Sequence, residues 1–208
     1  MPLLTFPADS NVGRLQGVGI WREHPGPVLA IGEVEVPEGV SISLEVGQIE
    51  GVHRRDDGSW AWTNNTDVKV DLGFVELMDP QGLESLQLHG RCFDPESVRH
   101  IPHLAPGLKR LYLAFSELSD DGLKHIALLH GLTYLQTWGN SFTDEAVQQL
   151  STLTELEDLY LEEETLTAKA FDFAANLPNL RRLGLQDVSI TPEEADALRS
   201  RLPRVQVG

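Results

Sequence analysis

A spacing of 24 residues between leucine motifs limits the fold of this sequence more than any other feature. Copies of Leu-x-x-Leu-x-Leu or a close variant start at five positions, the first interval being 25 residues and the others 24: Leu83, Leu108, Leu132, Leu156 and Leu180. A fixed period of this size indicates a repeat protein, in which no unit buries its apolar residues alone and every unit stacks on its neighbours. The sequence therefore predicts a solenoid over residues 81–208.

Each leucine motif is followed by the features that begin a helix. The eleventh position of every unit is apolar, and the twelfth is a small polar residue: Asp94, Ser119, Thr143, Thr167 and Thr191. A side-chain oxygen at this position can accept hydrogen bonds from the unpaired amides of a helix N terminus. Apolar residues then recur at helical spacing, as at Leu123, Ile126 and Leu129. Each unit is thus predicted to form one strand and one helix.

The segments LKRLYLAFSELSDDGLKHIALLHG and LTYLQTWGNSFTDEAVQQLSTLTE resemble bacterial leucine-rich repeats of the LxxLxL…LTDxxLxxL type. Thr137 stands where that family commonly has leucine, and Glu164 and Val188 stand where it commonly has asparagine. The resemblance implies an α/β solenoid with a parallel concave sheet and convex helices. It also implies a protein-interaction module rather than an enzyme.

The first 80 residues show period-two alternation instead, which is typical of strands with one apolar face. Strands are predicted over residues 33–36, 40–46 and 68–72, and Asp-Asp-Gly at 56–58 predicts a hairpin or tight turn. We expect residues 1–80 to form a β-rich cap continuous with the sheet of a repeat domain, residues 81–208, which has about five repeats and a terminal strand. Trp21, Trp60 and Trp62 are interpreted as packing residues of this cap, with ligand stacking as the alternative.

The charge of the chain disfavours two classes of partner. With 32 acidic and 16 basic residues the net charge is −16, which repels nucleic acid and anionic membranes. The acidity either keeps a monomer soluble or attracts a basic protein, and both interpretations stay open. No apolar run is long enough to span a bilayer and no secretory signal pattern begins the sequence, so a cytoplasmic location is expected.

Catalytic and metal-binding motifs are missing from the sequence, so neither an enzyme nor a cofactor is predicted. His100, His103 and His125 are the only histidine cluster, but Pro102 disfavours a regular helix there and no carboxylate has ligand spacing. Solvated histidines are the preferred interpretation. The single cysteine, Cys92, is expected to serve in packing.

A binding surface follows from the alternation of side chains along a strand, because the residues between the leucines point out of the concave sheet. The predicted partner-binding residues are Arg110, Tyr112, Phe115, Tyr134, Gln136, Trp138, Asp158, Tyr160, Glu162 and Glu163. Tyrosine and tryptophan dominate interface hot spots. Aromatic stacking that only stabilises the sheet is the alternative.

Two functions are favoured at this point, and a metal-dependent enzyme, testable by elemental analysis of the purified protein, is kept as a third hypothesis. The first is a non-catalytic module that binds a protein, in one version an inhibitor or immunity protein of a basic partner, by resemblance to acidic leucine-rich inhibitors of nucleases. The second is carbohydrate or small-ligand binding through the same aromatic residues, with hydrogen bonds from Gln87, Gln136 and Gln186.

Overall fold

The computed structural model describes residues 3–8, 12–18, 28–30, 32–35, 41–46, 48–54, 60–65, 69–79, 83–90, 92–162, 165–186 and 188–208. Its strands are β1 (Leu3–Thr5), β2 (Gly13–Val18), β3 (Val28–Leu29), β4 (Glu33–Glu35), β5 (Ser41–Val46), β6 (Gln48–Arg54), β7 (Trp60–Asn65), β8 (Ser85–His89), β9 (Arg110–Ala114), β10 (Tyr134–Trp138), β11 (Asp158–Glu162), β12 (Arg182–Gly184) and β13 (Gln206–Val207). The helices are α1 (Asp120–Ile126), α2 (Asp144–Val147) and α3 (Pro192–Arg201), with 3₁₀ helices at Leu72–Leu77, Pro95–Leu104, Gln148–Thr152 and Ala168–Asn176.

One sheet runs through the whole solenoid, and within the described residues it has the order β13-β12-β11-β10-β9-β8-β5-β2-β3. In this sheet β5 and the strands β8 to β13 are parallel, and equivalent positions of successive units are paired, so that Leu135 lies between Leu111 and Leu159. The predicted α/β solenoid and its register are confirmed. Units in strict register place like residues in rows across the sheet.

The core lies between this sheet and the helices. The motif leucines are fully or almost fully buried except Leu185 of the last unit, which is partly buried, and the apolar residues predicted to face inward from the helices are buried as well. Thr137 takes the place of a leucine in this layer and is also fully buried. Its hydroxyl has no hydrogen-bond partner among the described residues. Such a group loses its water without compensation, which costs free energy on folding.

All five predicted cap residues begin a helix, and four of them accept a hydrogen bond from the following turn, Ser119 being the exception. Each unit has a convex helix, as predicted, but Pro95–Leu104, Gln148–Thr152 and Ala168–Asn176 are 3₁₀ rather than α-helices. In the first of these, Pro102 has no amide to donate to the carbonyl four residues earlier. A 3₁₀ helix rises about 2 Å per residue and suits such short convex segments.

Hydrogen bonds also join neighbouring units on the convex side. The carboxylate of Asp120 accepts from both the backbone amide and the hydroxyl of Thr143 in the next unit, at 3.0 and 2.8 Å. Asp144 holds Thr167 in the same way. Ala168 cannot repeat the contact, and Thr191 instead forms a reciprocal capping box with Glu194 of its own helix.

The N-terminal region continues the repeat sheet only in part. Strands β5, β2 and β3 extend it, the last two antiparallel, whereas β1 pairs with β4 and β6 pairs with β7 as separate two-stranded ribbons. The predicted strand 33–36 is therefore present as β4 but lies outside the main sheet. The antiparallel β6–β7 pair fits the predicted hairpin, although its turn, residues 55–59, lies outside the described residues.

The predicted strand 68–72 is wrong. Val70 makes a single parallel bridge to Phe93, and a 3₁₀ helix follows at once, because the Asp71 side chain accepts from the Gly73 amide at 2.8 Å and ends the extended segment. Trp21 and the side chains of Trp60 and Trp62 lie outside the described residues. None of the helices in the described part of the chain combines the length and apolar character needed to cross a membrane.

Candidate functional site on the concave face

Strand alternation places the predicted binding residues on the concave side of the sheet. In β9, β10 and β11 the residues at the first, third and fifth strand positions are partly or well exposed, while the residues between them are buried. These positions hold nine residues that include most of the predicted site: Arg110, Tyr112, Ala114, Tyr134, Gln136, Trp138, Asp158, Tyr160 and Glu162. Phe115 follows β9 directly, and Glu163 lies outside the described residues.

Three tyrosines form a stack across the central strands, with Tyr134 of β10 between Tyr112 of β9 and Tyr160 of β11. The ring of Tyr134 lies 4.8 Å from that of Tyr112 and 5.6 Å from that of Tyr160, measured between ring centroids, with interplanar angles near 35°. We call Tyr112, Tyr134 and Tyr160 the tyrosine stack. Offset, tilted rings at these distances attract one another and fix the positions of all three side chains.

The centre of the tyrosine stack is partly buried and hydrogen-bonded. The Tyr134 hydroxyl donates to the Gln136 side-chain carbonyl at 2.9 Å. Burial, followed by the neighbouring tyrosines and the carboxylates of Asp158 and Glu162, raises the pKa of Tyr134 well above its ordinary value of 10. The phenol is therefore a neutral hydrogen-bonding group in a region that disfavours added negative charge.

The absence of a side chain at Gly184 decides where the ring of Tyr160 lies. Gly184 pairs with Tyr160 across β11 and β12. A Cβ atom built on Gly184 would lie 2.2 Å from Cδ1 of Tyr160, so the ring occupies the space that any other residue would fill. Glycine thus lets the tyrosine lean over the next strand and form one wall of a depression there.

Phe115 and Trp138 form a second aromatic pair at the carboxyl ends of β9 and β10. Their ring centroids are 4.8 Å apart, and the residues are 52% and 42% exposed. Phe115 has a φ of 50°, a conformation that a bulky residue adopts only when its surroundings hold it. Two large apolar side chains are thus presented to solvent beside the tyrosine stack.

A buried polar network holds the turn that carries this pair, and the sequence interpretation missed it. The side-chain oxygen of Asn140 accepts from the Ser116 amide at 3.2 Å, and its nitrogen donates to the Leu113 and Trp138 carbonyls at 3.4 Å. The Ser116 hydroxyl donates to the Leu88 carbonyl at 3.1 Å. Ser116 and Asn140 occupy the same repeat position, a signal that could have revealed the network.

Ion pairs engage the charged residues of the predicted site. Arg182 donates from two nitrogens to both carboxylate oxygens of Asp158 at 2.5 Å, and Arg110 donates to Glu84 at 2.5 Å. The side chain of Asp158 is only 13% exposed. Asp158 is therefore engaged by Arg182 and offers little of its carboxylate to a partner.

The N-terminal end of the concave face holds a group of polar side chains that lies outside the predicted partner-binding residues, although Gln87 was predicted as a hydrogen-bonding group of the carbohydrate alternative. Arg14 forms an ion pair with Glu45 across β2 and β5, and Gln87 donates to the Ser43 hydroxyl at 3.0 Å. Burial lowers the pKa of His89; the Glu45 carboxylate acts in the opposite direction and Arg14 in the same one. These partners come from strands far apart in sequence, so spacing alone could not reveal them.

A depression of about 470 Å³ lies at the C-terminal end of the concave face. Its lining combines an aromatic ring, a carboxylate, a guanidinium, amides and backbone: Tyr160, Glu162, Arg182, Leu183, Gly184, Leu185, Gln186, Gln206 and Gly208. It therefore adjoins the tyrosine stack and extends the predicted surface by one unit.

Histidines and carboxylates do not gather into a metal site in the described ranges. No group of three possible ligands is found there. His100 instead pairs with Glu76 at 2.5 Å, and the ring of His103 contacts the Met78 carbonyl at 3.1 Å, so both make local contacts to the preceding 3₁₀ helix. Among the described residues, the exposed large aromatic side chains are Phe115 and Trp138, which lie at the ends of β9 and β10.

Comparison with known proteins gives structural similarity only. No protein-family model and no curated protein sequence matches the chain. An internalin from Listeria monocytogenes shares 18% identity over 66% of this chain and 50% of its own, with a TM-score of 0.40. A leucine-rich repeat protein from Leptospira interrogans shares 17% identity over 67% of this chain and 52% of its own, with a TM-score of 0.30. The chain spans about half the length of each structure.

Proposed function

We propose that this leucine-rich repeat protein is a non-catalytic interaction module that binds a protein partner on its concave face. The observation that carries the proposal is the exposed Phe115–Trp138 pair, held beside the tyrosine stack by the Asn140 network. Exposed aromatic residues on a rigid support are the usual anchors of an interface, because they bury much area and lose little conformational freedom.

The arrangement of the rings favours binding over a purely structural role for the aromatic pair. Stacking within the sheet accounts for the tyrosine stack, whose members are partly buried. It does not account for Phe115, which keeps a positive φ and leaves half of its surface in solvent. Backbone strain at a residue whose aromatic ring stays half exposed supports a functional role for that position.

The negative charge of the chain indicates that the proposed partner is a basic protein. The net charge of −16 attracts basic proteins, and Glu162 places a carboxylate beside the aromatic residues. A basic partner therefore suits both the whole chain and this face. One form of the proposal is an inhibitor or immunity protein that covers a basic enzyme, and its support is the acidity of the chain.

The test compares variants of the full chain in quantitative affinity capture from the source cell, read by mass spectrometry. Trp138→Ala and Tyr160→Ala should each lower recovery of the same basic protein at least tenfold, since one hot-spot truncation costs about 2 kcal/mol. Leu128→Ala is the matched control, because Leu128 is 49% exposed but follows α1, away from the strands. Unchanged recovery by folded Trp138→Ala and Tyr160→Ala would exclude this site.

Ionic strength gives a second readout with the purified pair. Association with a basic partner should slow as salt rises from 50 to 300 mM, because charges separated by more than about 8 Å are screened at physiological ionic strength. An association rate that does not depend on salt would contradict the proposal that the partner is basic. It would not contradict the proposed aromatic contacts. A glycan array tests the carbohydrate alternative, which requires saturable binding that Trp138→Ala abolishes.

A cytoplasmic location and a monomeric state belong to the same proposal. Fractionation of the source cell and light scattering of the purified chain measure these two properties directly. A stable dimer that covers the concave face would contradict the proposed binding surface.

A further inference from the structure

We propose that the depression at the C-terminal end of the concave face binds an arginine side chain of the partner, between the ring of Tyr160 and the carboxylate of Glu162. This inference rests on the proposed function and names the chemistry of one contact within it. The argument depends on the shape of the depression, on the ring that forms its wall and on the charges around it.

The shape follows from one glycine. One row of paired residues crosses the concave face from Gln87 to Gly184. Every residue of this row has a side chain except Gly184, the last one. The surface therefore steps down beyond Tyr160 to the strand backbone of β12, and the depression of about 470 Å³ begins there. This volume accommodates one long side chain and leaves room for water.

The wall of the depression is suited to a planar cation. The ring of Tyr160 leans over Gly184 on one side. On its other side it packs against Tyr134, with the ring centroids 5.6 Å apart. A guanidinium group stacks well on the face of a tyrosine and also donates in its plane to carboxylates and amides. Glu162, Gln186 and Gln206 line the same space and supply oxygen acceptors.

The balance of charge disfavours an anionic ligand in the depression. Arg182 also lines the depression, but its Nε and Nη2 atoms donate to both oxygens of Asp158, so this cation is already neutralised by a carboxylate. By formal charge, the two carboxylates of Asp158 and Glu162 outnumber the one guanidinium of Arg182 among the described residues at the depression. The raised pKa of Tyr134, caused in part by Asp158 and Glu162, reports the same negative field.

The experiment titrates the full chain with N-acetyl-arginine N-methylamide and follows backbone amide shifts by NMR. Saturable shifts are expected at Gly184, Leu185 and Gln186, with a dissociation constant in the millimolar range for so small a probe. The citrulline analogue has the same shape without the charge and should bind at least about fivefold more weakly. The glutamate analogue tests whether Arg182 instead selects an anion.

Variants identify the groups responsible. Glu162→Gln keeps the shape of the side chain and should weaken the arginine probe about fivefold, with little change for the citrulline analogue. Tyr160→Leu should weaken both probes, because it removes the ring. Glu145→Gln is the matched control, since Glu145 is an exposed acid at the start of α2 on the convex side, and it should change neither affinity.

Three results would overturn the inference: equal binding of the arginine and citrulline analogues, tighter binding of the glutamate analogue at these amides, or no saturable shift with any probe. Each of them leaves the proposed function standing if Trp138→Ala still abolishes capture of the partner. The opposite outcome is also possible to recognise. If arginine binding depends on Glu162 but Trp138→Ala leaves capture unchanged, the arginine site is supported and the wider aromatic interface is rejected.

Discussion

The side chain of Asp144 holds the first residue of the next convex segment, Thr167, through two hydrogen bonds. Its Oδ1 accepts from the Thr167 amide at 2.9 Å, and its Oδ2 accepts from the Thr167 hydroxyl at 2.5 Å. The two residues lie one unit apart, so the contact joins consecutive units rather than residues of one helix. Asp120 and Thr143 make the same contact one unit earlier.

Asp144→Ala should lower the free energy of unfolding by about 1–2 kcal/mol, because it removes both acceptors from a helix N terminus. Urea denaturation followed by far-UV circular dichroism measures the change. Glu145→Ala is the control, since it removes an adjacent exposed acid that does not take part in this pair of contacts. Equal effects of the two substitutions would show that general acidity, rather than the contact between units, is responsible.

Thr137→Val should stabilise the protein by about 1 kcal/mol. The valine keeps the shape of the side chain and removes a buried hydroxyl that has no partner among the described residues. The midpoint of urea denaturation gives the measurement. Thr143→Val, in which the hydroxyl does have partners, should have the opposite sign. A destabilised Thr137→Val protein would mean that the hydroxyl is satisfied by water.

Gly139→Ala should be more destabilising than Gly90→Ala. Both glycines have positive φ, 67° and 61°, so both substitutions carry a conformational cost of about 1 kcal/mol. Only at Gly139 does the new Cβ meet a neighbour, the Phe115 ring at 2.4 Å, whereas nothing lies within 4 Å of a Cβ at Gly90. The difference in thermal stability between Gly139→Ala and Gly90→Ala therefore measures how firmly Phe115 is held. Near-UV circular dichroism, which reports aromatic packing, should change for Gly139→Ala alone.

Alkaline titration should detect the raised pKa of Tyr134. Its folded-state pKa lies above the ordinary value of 10, so the stability it contributes is complete below pH 10 and is lost as pH rises through the folded-state value. Absorbance at 295 nm should show a late phase of tyrosine ionisation that Tyr134→Phe removes. The same substitution should flatten the decline of unfolding free energy above pH 10. Persistence of the late phase in Tyr134→Phe would assign it to another tyrosine.

The repeat register could be predicted from sequence because each unit repeats the same local signals. The five cap residues and the buried leucines were placed correctly for this reason. The segment at 68–72 was not predicted correctly, because the Asp71 carboxylate accepts a hydrogen bond from the Gly73 amide and a 3₁₀ helix begins there despite the alternation of apolar residues. Short alternating runs do not distinguish a strand from an extended segment that ends in a cap.

The chemistry of the candidate site was less accessible from sequence. The row that contains Asp158 and Arg182 was known from the register, yet the acid was interpreted as exposed rather than paired. The contact of Tyr160 with the space above Gly184 depends on the absence of a side chain, and the Arg14–Glu45 pair joins segments outside the repeat. Such relationships follow from three-dimensional packing, which periodicity does not encode.

The interruption of the Asp–Thr contacts at Ala168 makes the last junction of the array different from those before it. Strands β11 and β12 are paired at three positions, against five for β10 and β11, and an exposed ion pair of Arg201 with Asp172 crosses the junction on the convex side. In a linear array, opening begins where the coupling between neighbours is smallest. A ligand that contacts both β11 and β12 should stabilise this junction and so slow local unfolding of the final unit. The rate of amide hydrogen exchange in that unit should therefore report occupancy of the depression.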